Sequence, residues 1–395
     1  MRSRGLNASV LRLAAAQALA GANSTVVYAT GAIIGHTLAP RPELATLPIS
    51  VFVTGMALAT LPVGATARRY GRPTAFLVGN ACGVFTGLLA ALAIVIGSFA
   101  LFCLAMLFGG AYAAVVLSFR FAAAECVTPE LRSKALSTVL AGGVAAGVFG
   151  PQLATATMTL WAPHTYAATY LAAAVAAALS AIVLRGVRFE HAIAEAATGG
   201  RPLRIILRQS PLFIAVLCGV VSYMMMNFVM TSAPLAMDIC GIPREAANLG
   251  IEWHVIAMYA PSFFTGRLIA RFGTSRIILT GLALLCLAAL TGMSGLTINH
   301  FWLSLVLLGI GWNFGFLGAS ALVLTCHSAA ERTRVQSLND FVIFAAMVVG
   351  SFTSGSLVTT RSWATVCLYV LPPVVVAAIA VVLLHARREQ QVIEG

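Results

Sequence analysis

Gly64-Ala-Thr-Ala-Arg68-Arg69-Tyr-Gly71-Arg72 joins two long apolar runs, and Gly266-Arg-Leu-Ile-Ala-Arg271-Phe-Gly273-Thr joins another two. Both stretches place two glycines seven residues apart, with an arginine two residues before the second glycine, and they lie 202 residues apart. Glycine at such positions allows a tight turn and close packing. The recurrence predicts that the chain contains two homologous halves.

A second pair of loops repeats at almost the same offset. Arg132 precedes Ser137 by five residues, and Arg332 precedes Ser337 by five. The second pair lies 200 residues after the first. Two independent motifs with nearly one offset strengthen the prediction of a duplicated architecture. The longest polar segment, 185–210, separates the two copies. We therefore expect an N-terminal half over 1–184, a central loop over 185–210 and a C-terminal half over 211–395.

The composition indicates a membrane protein. Of the 395 residues, 60% are hydrophobic and only 9% are charged, whereas soluble domains carry about 25% charged residues. A spanning helix needs about 20 mostly apolar residues. Twelve runs meet that requirement, which predicts an all-α membrane protein with twelve transmembrane helices: 10–38, 45–65, 74–96, 99–123, 135–157, 165–185, 211–237, 249–267, 275–296, 301–326, 336–358 and 363–384.

The distribution of basic residues predicts the orientation. The net charge of +12 would suggest nucleic acid as a partner of a soluble protein. With the N-terminus in the cytoplasm, however, only Arg41, Arg244 and Arg361 of the 24 basic residues fall outside. Because basic residues in short loops stay on the cytoplasmic side, both termini are expected on the cytoplasmic side of a bacterial inner membrane. The membrane topology thus accounts for the positive charge, and no nucleic-acid partner is expected.

The residue types give no sign of catalysis, a cofactor or a metal site. No HExxH, nucleophile elbow, paired acid or Walker motif is present, so an enzyme is disfavoured and no catalytic residue is assigned. No CxxC or Cys/His pairing occurs, which argues against a metal centre and a disulfide framework. The cysteines are instead scattered singly: Cys82, Cys103, Cys126, Cys218, Cys240, Cys286, Cys326 and Cys367.

The first repeated loop is similar to the signature G-x-x-x-D-R-x-G-R-R of the major facilitator superfamily. Gly64, Arg69, Gly71 and Arg72 match it, whereas Arg68 stands at the position of the signature acid. The resemblance implies two six-helix bundles, a small solute bound at mid-depth, and alternating access by rocking of the bundles. In the family the acid helps to lock the halves in one state, so the usual latch is in doubt here. The family is usually monomeric.

The same resemblance implies that the first and fourth helices of each half line the solute cavity. Their polar and aromatic residues near mid-membrane are the predicted substrate-binding set, although hydrogen bonding between helices is an alternative role for the amides. Two of them, Tyr112 and Trp312, lie 200 residues apart and are expected to face each other across the cavity. The set is Asn23, Tyr28, Tyr112, Tyr223, Asn227, Trp312 and Asn313.

Few charged residues fall at membrane depth. Glu252 and His254 are the candidates for proton coupling, with a structural or interfacial role as the alternative. Arg120 is expected to extend toward the cytoplasmic interface, to pair with Glu125 or to bind an anionic group. Together with the signature residues Gly64, Arg69, Gly71 and Arg72, these form the predicted coupling and gating set.

The fifth helix is rich in glycine. Its glycines loosely resemble the bent antiporter motif of the family, but the trailing glycines of that motif are absent. The residues concerned are Gly142, Gly143, Gly147 and Gly150-Pro151. Close packing of small residues against a neighbouring helix is the alternative interpretation. The sequence therefore does not predict export from this segment.

Two substrate classes compete. Leu19-Ala-Gly21-Ala-Asn23 and Trp312-Asn313 are similar to a bacterial branch of the superfamily that imports riboflavin, whose planar ring suits an aromatic, amide-rich pocket. Proton-coupled efflux of drugs or metabolites is the alternative. A channel or a receptor is disfavoured by the internal repeat. The expected partners are a small solute and the lipid bilayer.

Overall fold

The computed structural model describes residues 7–41, 44–45, 47–189 and 200–393, and the secondary structure in these residues is helical. One-turn helices at Pro129–Leu131 and Leu203–Ile206 lie between the long ones. The long helices are α1 (Ala8–Leu38), α2 (Leu47–Tyr70), α3 (Arg72–Ile96), α4 (Phe99–Glu125), α5 (Arg132–Thr157), α6 (Ala167–Leu184), α7 (Ser210–Ile239), α8 (Arg244–Tyr259), α9 (Ser262–Phe272), α10 (Thr274–Ser294), α11 (Ile298–Val323), α12 (Arg332–Thr360) and α13 (Trp363–Ile393).

These helices follow the predicted spans closely. In the described part of the chain, ten helices are long and apolar enough to cross a membrane. The remaining predicted spans correspond to α12 and to the eighth run, 249–267, which the structure corrects. That run is not one helix: α8 ends at Tyr259 and α9 begins at Ser262. The interruption arises because Pro261 has no amide hydrogen to continue the helical bonding.

The structure groups into two compact units. The first unit lies within residues 1–195 and also contains Gln336–Val348 from α12, and the second lies within residues 196–335 and 349–395. In the first unit, α1 packs on α5, α2 packs on α4, and α3 packs on both α4 and α6. In the second unit, α11 packs on α7, α8 and α10, so it is the helix with the most neighbours around the candidate site.

The signature glycines adopt the same backbone conformation in both loops. Gly71 has φ +86° and ψ 161°, and Gly273 has φ +83° and ψ 162°. A positive φ of this kind strains any residue with a Cβ atom. Each glycine ends one helix and begins the next, turning the chain within a single residue. The sequence repeat is therefore also a repeat of backbone geometry.

The repeat extends to side chains at the starts of α1 and α7. The Nδ2 group of Asn7, which caps α1, donates to the carbonyl of Cys126 at 2.6 Å. The Nε2 group of Gln209, just before α7, donates to the carbonyl of Cys326 at 3.1 Å. Cys126 and Cys326 lie 200 residues apart. In both units an amide side chain thus donates to a backbone carbonyl at the end of a long helix, α4 in the first unit and α11 in the second. Such terminal carbonyls have no partner within their own helix.

A buried carboxylate holds the chain ahead of α7. Glu331 is 2% exposed and accepts hydrogen bonds at 2.8 Å from the backbone N–H and the guanidinium of Arg201, and at 2.9 Å from the N–H of Ser328. The hydrogen bonds from Arg201 contribute most to holding the pKa of Glu331 well below its ordinary value. A depressed pKa means that this contact stabilises the fold above the unfolded-state pKa and is lost as the pH falls.

The glycines of α5 allow close approach to α1. A Cβ atom on Gly142 would lie 2.3 Å from the carbonyl oxygen of Ala14, and one on Gly150 would lie 2.6 Å from Cβ of Thr25. Both distances are far below van der Waals contact, so α1 and α5 pack backbone to backbone at these points. The structure supports the packing interpretation of the glycine-rich fifth helix.

We expect Gly142→Ala to destabilise the purified protein by about 1–3 kcal/mol, because the new methyl group meets rigid backbone and forces α1 and α5 apart. Thermal unfolding in detergent would measure the change. Gly31→Ala is the matched control: its Cβ would meet side chains and no backbone, with Ile49 nearest at 3.3 Å and Val27 at 3.9 Å, and alanine favours the helix. Equal melting temperatures for the two variants would contradict the packing argument.

Candidate functional site

The break between α8 and α9 is the structural centre of the candidate site. Pro261 cannot donate a backbone hydrogen bond, and the chain tightens here, with the N–H of Phe263 bonded to the carbonyl of Ala260 at 3.2 Å. Within a bilayer, freed backbone groups need other partners, since no water is available in the hydrocarbon region. Discontinuous helices of this kind commonly form the solute sites of transporters.

Asn313 of α11 supplies the partners that the break needs. Its Nδ2 group donates to the carbonyl of Met258 at 2.7 Å and to the hydroxyl of Ser262 at 2.6 Å. Its Oδ1 atom accepts from the hydroxyl of Thr265 at 2.7 Å. Asn313 is completely buried, and both of its N–H donors are used. We call these four residues, Met258, Ser262, Thr265 and Asn313, the amide clasp.

The clasp changes the role assigned to Asn313. The sequence placed this residue among those that bind the solute, but its donors are already committed to α8 and α9. Gly309, one turn earlier on α11, permits the approach, because a Cβ there would lie 2.7 Å from the carbonyl of His254 and 2.9 Å from the N–H nitrogen of Met258. Asn313 therefore positions the broken helix.

Four aromatic rings pack beside the clasp. Trp312 stacks on Phe316 with centroids 5.1 Å apart and an interplanar angle of 17°. Tyr223 of α7 meets both rings edge-on, at 5.4 Å from Trp312 and 5.0 Å from Phe316. Tyr259, the last residue of α8, meets Trp312 edge-on at 5.6 Å. We call Tyr223, Tyr259, Trp312 and Phe316 the aromatic cluster; sequence reasoning missed Tyr259 and Phe316.

Two buried polar groups beside these rings have no hydrogen-bond partner in the structure. Trp312 is completely buried and its Nε1 atom is unpartnered, as is the Nδ2 atom of Asn227, which is 2% exposed. Leaving a buried donor unpaired costs about 1–3 kcal/mol. Asn227 lies four residues after Tyr223 on α7, so both side chains occupy one face of that helix. The structure thus brings Tyr223 and Trp312 into contact in the second unit and places Asn227 on the same face of α7 as Tyr223.

Tyr112 is positioned differently from the expectation. Its hydroxyl donates to Oδ1 of Asn80 on α3 at 3.1 Å, and its ring lies where a Cβ on Gly83 would be 2.5 Å away. Because Gly83 leaves space and Asn80 offers an acceptor, the ring is directed into α3 and is 2% exposed. Tyr112 is therefore held against α3 within the first unit, and the expectation that it faces Trp312 across a cavity stays a prediction.

The polar residues of α1 remain candidates for solute contact. Asn23 is half-buried, and its Nδ2 atom has no partner. Tyr28 is also partly exposed and meets Phe52 edge-on, with centroids 5.6 Å apart. Gln17, which sequence reasoning did not select, is 3% exposed with its Oε1 atom unpartnered. Its position two turns before Asn23 on an apolar helix was the available signal.

A buried network of arginines and acids lies in the first unit. Arg72 donates to both carboxylate oxygens of Glu125, at 2.9 Å and 2.5 Å, and to Oε1 of Gln336 at 2.6 Å. Arg120 donates to Oδ1 of Asp340 at 2.5 Å. Two arginines are thus balanced by two acids, and Gln336 and Asp340 lie four residues apart on one face of α12.

The predicted gating residues differ in whether they belong to this network. Arg120 is completely buried and its guanidinium also lies 4.3 Å from the ring centroid of Phe121. One acidic partner of Arg120 is Asp340, which the sequence did not suggest. Arg68 and Arg69 are exposed, so the loop residue at the position of the signature acid takes no part in this buried network. Gly64 is buried and Gly71 forms the turn that places Arg72.

Glu252 and His254 are directed to different faces of α8. Glu252 is exposed, whereas His254 is completely buried and its Nδ1–H donates to the carbonyl of Leu305 at 2.7 Å. The histidine thereby joins α8 to α11. The two residues do not form a titrating pair by contact. Among the residues that the structure describes, no group of three or more His, Cys, Asp or Glu side chains is arranged to hold a metal ion.

Long apolar helices, an internal repeat and a broken helix closed by a buried amide define a multi-pass membrane transporter. A family profile described as Major Facilitator Superfamily matches residues 13–251 and 215–394. The chain belongs to the major facilitator superfamily. It is a secondary transporter of small solutes and not an enzyme.

Individual relatives agree with the family. The chain is 41% identical over 381 residues to the protein named riboflavin transporter RfnT of Brucella anthropi, covering 95% of both chains. It is 27% identical to the uncharacterized MFS-type transporter YddS of Bacillus subtilis, covering 88% of this chain and 84% of that one.

Solved structures share the fold. The proton:xylose symporter XylE, bound to 6-bromo-6-deoxy-D-glucose, matches with a TM-score of 0.77 over 94% of both chains at 13% identity. A bacterial homologue of the iron transporter ferroportin in an outward-facing state matches with a TM-score of 0.72 at 16% identity, over 95% of this chain and 99% of that one. At these identities the similarity concerns the fold alone.

We expect Asn313→Ala to lower thermal stability and the maximal transport rate, with little change in KM. The substitution leaves the Met258 carbonyl without its Asn313 partner, and each buried group left unsatisfied costs about 1–3 kcal/mol. Asn299→Ala, an exposed position on the same helix, is the control. A raised KM with unchanged stability would instead assign Asn313 to solute binding.

Removing one member of the Arg120–Asp340 pair should destabilise the protein by roughly 3–5 kcal/mol, because the other charge stays buried and uncompensated. Charge exchange in the double variant Arg120→Asp, Asp340→Arg should recover part of the loss in melting temperature. Arg68→Gln, at an exposed position, should have no such effect. If the double variant melts no higher than the worse single variant, the pair is not a direct interaction.

Proposed function

We propose that this transporter imports riboflavin, or a planar vitamin of the same kind, across the inner membrane of a bacterium. The observation that carries the proposal is the 41% identity to the riboflavin transporter RfnT over 95% of both chains. The aromatic cluster supports it independently, since stacked and edge-on rings suit a flat heteroaromatic solute.

The proposed mechanism is alternating access by two six-helix halves, 1–184 and 211–395, in a monomer with both termini in the cytoplasm. The orientation follows from the basic residues, of which 21 of 24 then lie on the cytoplasmic side. The candidate binding residues are Tyr223, Asn227 and Trp312, with Asn23 and Tyr28 of α1 as further candidates.

The proposed gating residues are Arg72 and Arg120 with their acids. Buried ion pairs stabilise one conformation when both partners are present, and separating the partners requires that water solvates each charge. A transporter that opens and closes needs such a contact to be reversible. Glu252 and His254 stay candidates for proton coupling, each acting alone, because the two side chains lie on different faces of α8.

Growth of a riboflavin-auxotrophic bacterium on micromolar-or-lower riboflavin tests the proposal. Cells that express the chain should grow and accumulate radiolabelled riboflavin, whereas cells with the empty vector should not. Arg120→Asp, which places a second negative charge beside Asp340, should abolish rescue. Absence of both rescue and uptake, at normal membrane abundance, would reject import; reduced accumulation of dyes or drugs in the same cells would then favour efflux.

A further inference from the structure

We propose that the second unit binds the heteroaromatic ring of the solute, not its polyol tail, and does so with two N–H donors: Nε1 of Trp312 and Nδ2 of Asn227. The inference rests on the proposed function and specifies which part of the solute is recognised. It predicts a site for neutral, planar molecules that carry hydrogen-bond acceptors along one edge.

The two donors stand out among the buried polar atoms of the second unit. Ser222, Asn227, His254, Trp312 and Trp363 each have a buried side-chain N or O atom without a partner. The other rings are engaged elsewhere: His254 bonds to Leu305, and Trp363 packs on Phe301 with centroids 5.0 Å apart. Ser222 is a hydroxyl at a tight helix contact, because a Cβ on Gly315 would lie 2.2 Å from its Oγ atom. Asn227 and Trp312 are the two N–H donors that accompany the aromatic cluster.

The helix geometry places the donors close to the ring faces. Tyr223 contacts both Trp312 and Phe316, and Asn227 follows Tyr223 by one turn, about 6 Å along α7. Gly315 allows α7 and α11 to approach closely at this level, because the Ser222 side chain of α7 occupies the space that a side chain at position 315 would need. A flat molecule held against these rings would present its edge to the amide and the indole N–H.

The part of the solute that fits this site follows from the two N–H donors and from the aromatic rings beside them. Trp312 Nε1 can only donate, and an amide NH₂ can only donate, so their ligand must offer acceptors. The ring of a flavin presents carbonyl oxygens and imine nitrogens along one edge. The hydroxyls of a polyol tail can also accept hydrogen bonds, but they offer no flat face to the aromatic cluster, so the rings favour the flavin ring over the tail. No charged side chain belongs to the aromatic cluster or to this donor pair, so the site suits a neutral ring.

Access to this site is from the side of Tyr259. Trp312, Phe316 and Tyr223 are at most 7% exposed, whereas Tyr259 is only partly buried and is the last residue before the break at Pro261. Because Tyr259 packs on Trp312 and adjoins the helix interruption, movement of this one ring would expose a face of Trp312. Tyr259 is thus the ring that a solute displaces.

Competition with uptake of radiolabelled riboflavin by the unaltered protein tests the inference without any variant. Lumichrome, which has the ring but no polyol tail, should inhibit uptake with an affinity within about tenfold of that of riboflavin. Ribitol, which has the tail alone, should not inhibit at a thousandfold excess.

Two variants test the donors. Trp312→Phe keeps a ring and removes the N–H group, and Asn227→Leu keeps the approximate volume and removes the amide, so each should raise the KM for riboflavin about three- to tenfold. Phe301→Leu is the matched control: Phe301 is equally buried on α11 but packs on Trp363, so KM should be unchanged. Melting temperatures identify any variant that fails to fold.

The outcomes separate this inference from the proposed function. Riboflavin uptake that lumichrome does not inhibit, or that keeps its KM in folded Trp312→Phe and Asn227→Leu, would overturn ring recognition and leave riboflavin import standing. No riboflavin uptake by the unaltered protein would overturn both. Inhibition by lumichrome together with a raised KM in both variants would establish the ring site.

Discussion

The hydrogen bonds of Asn313 are the interaction on which the second unit depends. A membrane helix that contains proline must find partners for the backbone groups that proline leaves unpaired, because lipid offers none. Asn313 meets this need with one side chain that reaches Met258, Ser262 and Thr265. The break then fixes where α8 ends, and this places Tyr259 against Trp312. The amide therefore stabilises the course of the broken helix next to the aromatic cluster.

Duplication organises the remainder of the molecule. The turn glycines Gly71 and Gly273 share their dihedral angles, and the carbonyls of Cys126 and Cys326 are each satisfied by an amide side chain at the start of α1 or α7. The copies have diverged where the chemistry is located. The first unit contains the buried network of Arg72, Arg120 and their acids, whereas the second contains the clasp and the unpartnered donors. The two halves thus share a backbone plan, while the first contains buried ion pairs and the second contains the proposed recognition site.

Hydropathy was sufficient to predict the membrane class and all helix positions except the eighth, because the bilayer imposes length and apolarity on every span. The repeat followed from the two glycine–arginine loops. The amino-acid pattern did not predict the break at Pro261, since proline is tolerated inside other helices here, such as α2 at Pro62 and α5 at Pro151. It selected Tyr223, Asn227 and Trp312 by depth, but depth does not give direction. The space at Gly83 allows Tyr112 to point toward α3. Arg120 binds Asp340, which lies 220 residues away, and a pair so distant in sequence becomes visible only in the folded structure.

The amide clasp is built from an amide, two hydroxyls and a backbone carbonyl, and none of these groups titrates in the physiological range. Its strength is therefore insensitive to the acidity and the ionic strength on either side of the membrane. A proton gradient therefore has no group within the clasp on which to act directly. Any dependence of transport on that gradient must consequently arise from ionisable groups outside the clasp.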